Sequence, residues 1–202
     1  MVDSLLAVID RPISLFALRE KRQDRLFSEL WEPTFNDLLV IHRDYIEMFE
    51  KVGARLSKMV AVPSNEKGRD ETSQEIAEVV EYLSHKRIEF EPVRQKLITL
   101  IDTIPKSGLD ERASAYVDAL VWYFPIGVPR RSSTAASEVL TQIEAHRKII
   151  QDSAVNQELT RMSLSDLINY VHRVIQRQRH AWSIVCETYA PLTLAHAKRT
   201  IL

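Results

Sequence analysis

Residues 72–104 read TSQEIAEVVEYLSHKRIEFEPVRQKLITLIDTI, and the reading of this stretch decides the fold. Ile76, Leu83, Phe90, Leu97 and Ile104 recur every seven residues, the spacing that keeps one apolar seam along a helix. The series passes through Pro92 without losing phase. An interior proline removes one backbone hydrogen bond and crowds the turn before it, so it kinks or ends a helix. The unbroken phase predicts one helix, kinked at Pro92, instead of two. A rod of about thirty residues spans about 45 Å.

The segments on either side are helical in pattern too. Apolar residues at 38, 41, 45, 48, 49, 52, 56 and 59 predict a helix over 34–61, preceded by one near 13–30. A short helix is expected at 109–124, another at 134–152, and a last long one at 164–189. Thr34-x-x-Asp37, Thr72-x-x-Glu75, Ser107-x-x-Asp110 and Ser163-x-x-Asp166 have capping-box form, the last with Met162 and Leu167 as a hydrophobic staple. Prolines 12, 33, 63, 105, 125, 129 and 191 read as breakers between these helices. The charged stretch 62–71 reads as a linker, and 1–12 and 192–202 as peripheral. The expectation is a single all-α domain: an elongated bundle of four long helices (34–61, 72–104, 134–152, 164–189), plus an N-terminal helix and one short helix.

Composition narrows the function classes. Only four glycines occur in 202 residues, and no glycine-rich phosphate loop can be written around them. The net charge of −1 argues against a generic nucleic-acid binder while leaving room for a local patch. One cysteine, Cys186, cannot close an intrachain disulfide; it borders an apolar face and reads as packing. No apolar run approaches the roughly twenty residues of a membrane span, and the N-terminus lacks the basic start of a signal peptide. A cytoplasmic protein is expected. Glu81, His85 and Glu89 have helical ligand spacing but fall opposite the Ile76/Leu83/Phe90 seam, so neither a metal nor a cofactor is expected.

Three groups of residues stand out as candidate sites. On the C-terminal helix, Leu164, Leu167, Val171, Val174, Ile175, Trp182, Val185 and Tyr189 share one arc, with Arg173, Arg177 and His180 opposite. Six lysines and arginines stand against two acids from Arg161 to Arg199, a cationic face suited to nucleic acid or another anion. Arg173 and His180 have the R-x(4–6)-H spacing that resembles HEPN-type ribonucleases, helical bundles that act as dimers. Val174 stands where that family places a polar residue, and the chain is assigned to no family on this spacing.

A second group is polar residues inside apolar stripes: Arg87, Arg94, His146 and Gln178, each near the middle of its helix, with His42 close by in register. In an antiparallel bundle midpoints meet, so these are expected to form a polar layer at mid-height that fixes register or holds a small anion. The other expectation is that they are stripe-edge residues whose charged ends turn outward. The third group is the most apolar run, residues 119–129, containing Trp122, Tyr123, Phe124 and Ile126 and followed by Arg130 and Arg131. Aromatics edged by arginine are typical of binding hot spots, so this run is expected to be an end plug or an interface. Charge is also uneven, with eight acids against four bases from Glu66 to Glu91. Complementary ends of this kind favour self-association. The function expected is a non-enzymatic interaction protein, an adaptor or subunit of a larger assembly that binds a protein partner or itself. The alternative is a nucleic-acid-directed helical protein, either an RNA- or DNA-binding subunit or a HEPN-like ribonuclease.

Overall fold

A computed structural model describes residues 22–61, 66–104, 109–124, 134–152 and 157–200. Among these the fold is all-α, with five α-helices and no strand: α1 (Glu32–Val60), α2 (Glu66–Thr103), α3 (Glu111–Tyr123), α4 (Ala135–Asp152) and α5 (Gln157–Thr200). Residues 22–26 are helical and run into α1 through a π-helical turn, Phe27–Trp31. The α2 seam holds as expected, with Ile76, Leu83, Phe90 and Leu97 buried in one helix continuous through Pro92 and Ile104 buried just past its end.

Cross-helix pairs give the topology. Arg55 meets Glu75 and Lys96 meets Asp37, so α1 and α2 are antiparallel. Phe27 meets His196 and Arg179 meets Glu50, so α5 is antiparallel to α1. Tyr116 lies against Tyr189, Trp122 against His180, and Glu138 against Arg177. Thus α3 and α4 follow one another along α5, and together they form one column. The result is an up-down-up-down four-helix bundle whose third column is built from two helices, α3 ending at Tyr123 and α4 starting at Ala135.

This arrangement corrects several expectations. Pro33 and Pro191 do not separate helices; the N-terminal helix is continuous with α1, and α5 runs to Thr200, so 192–200 is not a peripheral tail. Leu192 is buried in the core. Pro33, Pro92 and Pro191 all stand on exposed positions, and so do Glu29, Ile88 and Glu187, four residues before each. The carbonyl deprived of its donor therefore faces water, which removes much of the cost of an interior proline. At Pro33 the π turn adds a second reason: Glu32 N–H already pairs with Phe27 O, five residues back, shifting the pattern just before the missing donor.

The capping boxes fail for a related reason. Thr34 and Thr72 sit inside helices and return their hydroxyls to Leu30 O and Gly68 O, and Ser163 is buried mid-helix with Met162 exposed. Helix α2 starts at Glu66, inside the stretch read as a linker. The working caps are Asp110, whose Oδ1 accepts from Ala113 N at 2.8 Å, and Thr134, whose Oγ1 accepts from Ser137 N at 3.0 Å. Residues 1–21, with Pro12 and the start of the expected first helix, lie outside the described residues, as do Pro63, Pro105 and Ser107.

One feature of the core was not anticipated. Along the α1–α5 seam, rings from the two helices alternate as His196, Phe27, Tyr189, Phe35, Trp182 and His42, with centroids between 3.9 and 6.0 Å apart. All five of these contacts are stacked. Trp182, Tyr189 and His196 come from a seven-residue repeat on α5, matched by Phe27 of the π-helical turn and by Phe35 and His42 of α1. Each aromatic pair of this kind contributes about 0.5–1.5 kcal/mol beyond its buried area, so the ladder sets the register of this seam.

Candidate functional site

The interruption of the third column falls at mid-height, beside the upper end of the ring ladder. Helix α3 ends there because Phe124 turns to extended backbone (φ −102°, ψ 105°), its N–H still paired to Leu120 O. Tyr123 and Phe124 point into the bundle and are buried, whereas Trp122 is 51% exposed. The run around Trp122 thus places two rings in the core and leaves a third half exposed. Ile126, Arg130 and Arg131 lie outside the described residues.

Beneath Trp122, His42 of α1 is buried, 3.1 Å from the Tyr123 hydroxyl through Nδ1 and stacked on Trp182 at 4.8 Å. Burial pushes its pKa down to about 4, and the nearby Arg179 guanidinium pushes the same way. The imidazole is neutral at physiological pH. Burial likewise raises the Tyr123 phenol far above its usual range and Tyr45 to about 12. These groups are held in their uncharged forms, packed against rings and away from solvent.

On the surface, Arg173, Arg177 and His180 are exposed as expected. Arg177 donates to Glu138 at 2.6 Å, Arg173 lies over the Tyr170 ring, and His180 meets the Trp122 indole edge-on at 5.6 Å. Arg179, on the next strip of the helix, donates to Glu50 at 2.6 Å. The cationic face is thus partly neutralised by acids of α4 and α1. Arg173 and His180 stand about 10 Å apart along the helix axis, with each side chain engaged by a different ring.

The expected buried polar layer does not assemble. Arg87 is exposed, because the α2 stripe it interrupts lies at the edge of the buried face. Arg94 is largely covered but pairs with Glu91 on its own helix at 3.1 Å. His146 is half-buried, and its Nδ1 lies 2.8 Å from Gln142 O one turn back. Gln178 alone is buried, with Oε1 lacking a hydrogen-bond partner. Among the described residues no hydrogen bond or ion pair joins any two of these four. Glu81, His85 and Glu89 are exposed, as expected, and no group of three His, Cys, Asp or Glu among the described residues could hold a metal ion. The Cys186 thiol is half-buried, with its pKa raised by that burial.

Sequence reasoning missed a fastening at the lower end of the bundle. Asp24 Oδ1 accepts from Arg199 Nε at 2.7 Å and lies 3.1 Å from His196 Nδ1. Those hydrogen bonds, that from Arg199 first, hold its carboxyl below the usual range. Gln23 reaches both Arg199 and Asp110. Treating 192–202 as peripheral hid this cluster. The signal available was the continuation of the Trp182, Tyr189 spacing to His196.

A groove of about 570 Å³ runs along the outer α1–α5 seam between Gly53, Ala54 and Ser57 on one side and His172, Ile175 and Gln176 on the other. No described helix is long and apolar enough to cross a membrane. No family model matches the chain, and neither a curated protein nor a solved structure matches it.

Proposed function

We propose that this chain is a non-catalytic helical interaction protein, an adaptor or subunit of a larger assembly, which docks a protein partner at the interruption of its third column. The observation that carries this reading is Trp122. Its indole is half exposed on the last turn of a helix whose next two residues are anchored in the core, with His180 against its edge. An aromatic held rigidly at the surface loses little side-chain entropy on binding, which is the usual character of an interface anchor. Arg173, two turns before His180 on α5, supplies a cation for an acidic group on the partner. The pairing of Arg177 with Glu138 and of Arg179 with Glu50 supports this reading over the nucleic-acid alternative, since it leaves less charge for phosphates.

The test uses Trp122→Ser alone. Phe124 is unsuitable for this purpose because it is buried. Wild type and variant are compared by light scattering and by capture of partners from the native host. Loss of self-association or of a specific captured partner, with the melting temperature unchanged, is expected. Identical mass and identical capture would remove the proposal, and salt-sensitive RNA or DNA retention that Arg173→Glu abolishes would replace it with the alternative.

A further inference from the structure

We infer that the His42–Tyr123 contact is an acid-released latch, fastening the last turn of α3 to α1 at neutral pH and freeing that turn when the imidazole takes up a proton. The inference is independent of what docks on Trp122, because it concerns only the fold.

Helix α3 has 13 residues, too few to persist alone in water, and is held by its packing along α5 and by what fastens its two ends. At its start, Asp110 caps the helix and lies 3.5 Å from Gln23. At its finish the fastening across to α1 is the bond between the Tyr123 hydroxyl and His42 Nδ1. The helix ends at Tyr123, with Phe124 in extended backbone. The latch therefore stands at the last turn of a short element, where opening disturbs less structure than in mid-helix.

The neighbours of His42 make a charge there unwelcome. Tyr123 faces it from α3, and Trp182 and Arg179 from α5. On the α2 side, Glu91 and Arg94 act on Tyr45, the next turn of α1, and pair with each other. Among the described residues no carboxylate bonds to the ring. An imidazolium must then sit buried beside a guanidinium or reach water. Helices α1 and α5 are locked together by the ring ladder, so the cover that can move is the end of α3.

Hydrogen exchange of residues 117–124, corrected for intrinsic rates, tests this between pH 7.5 and 4.5, with far-UV circular dichroism as a check on the bundle. An opened latch returns His42 to its ordinary pKa of 6.5 from about 4, so protection of this turn should fall on the order of fiftyfold over that range. Protection of α1 and α5 should hold. In a background carrying both Trp31→Phe and Trp122→Phe, which leaves Trp182 as the one tryptophan, its emission should drop as the imidazole stacked on it becomes charged. His42→Gln should abolish both responses, and Tyr123→Phe should lower protection of the turn already at pH 7.5. Unchanged protection in wild type at pH 4.5, an equal fall in His42→Gln, or loss of protection across all helices in one step each overturns the latch. Should His42→Gln fail to fold, Tyr123→Phe decides the matter, and full protection of that variant at pH 7.5 overturns the latch.

Discussion

Replacing Gln178 with leucine should stabilise the protein. The amide is 9% exposed, and Val174, Ile175, Ala181 and Val185 on the surrounding turns of α5 are all buried. Its Oε1 has no hydrogen-bond partner within the protein. A buried acceptor left unpaired costs about 1–3 kcal/mol, the desolvation it suffers without compensation. Leucine has nearly the same reach and carries no polar atom, so removing the oxygen should recover about 1–2 kcal/mol. For a chain of this size that corresponds to a rise of roughly 3–6 °C in melting temperature. Urea denaturation at pH 7.5 is the direct assay: the midpoint should rise while the slope stays fixed. Gln178→Glu supplies the opposite case, burying a carboxylate with no partner, and should lower stability by several kcal/mol. If Gln178→Leu instead destabilises by 1 kcal/mol or more, the oxygen is satisfied in solution. The buried polar layer read from the sequence would then exist around this residue.

Two further predictions concern α1 and the lower end of the bundle. Gly53→Ala should raise stability by about 0.5–1 kcal/mol, because glycine is a poor helix former. The added Cβ would meet Val171 Cγ1 at 3.7 Å, an ordinary contact, and a fall in the urea midpoint would show that α1 and α5 approach more closely there. Asp24→Asn should cost about 0.5–1 kcal/mol, discounted for partial exposure, and should loosen the last turns of α5 in hydrogen exchange. Because the folded carboxyl pKa lies below its unfolded value, this contribution is present above the ordinary carboxylate range and is lost as pH falls through the lowered one. A variant that keeps wild-type protection at both ends of that range would refute it.

The parts of the fold legible in the sequence were those carried by long periodic patterns. The α2 seam and the buried arc of α5 follow from apolar spacing alone, which many residues report at once. Boundaries resting on one or two residues were read less well. Pro33 and Pro191 mark helix ends only if the freed carbonyl must be buried, and a helical wheel already places both on the polar side. Thr34 and Thr72 fit a capping pattern, but a hydroxyl inside a helix can serve the carbonyl four residues back just as well. Ser163 fits the pattern too, yet lies buried inside α5 with its hydroxyl unpartnered. The site divided in the same way. Exposure of Arg173, Arg177 and His180 was readable, because it is a property of one helix. Their partners Glu138 and Trp122 were not, since those depend on how α3 and α4 share a column. Arg87 and Arg94 could be read from the stripe either as a buried layer or as edge residues turned outward. It is the second that holds, with Arg87 exposed and Arg94 paired to Glu91 on its own helix.

What separates the interruption at Phe124 from the three tolerated prolines is the side on which it falls. Pro33, Pro92 and Pro191 stand where water can solvate the unpaired carbonyl, so the helix continues and the packing beneath is undisturbed. At Phe124 the chain leaves the helix with its last two described rings buried, so the change of direction is built into the core. The same point gathers the buried histidine, the end of the ring ladder and the exposed indole. A chain that needed only a stable bundle could have carried one continuous third helix past this height. A short helix fastened at its end by Tyr123 is less stable locally, and such departures from regular packing are where function is best sought. That argument ties Trp122 and His42 to one feature, and the variants at the two positions test it from the outside and the inside of the same turn.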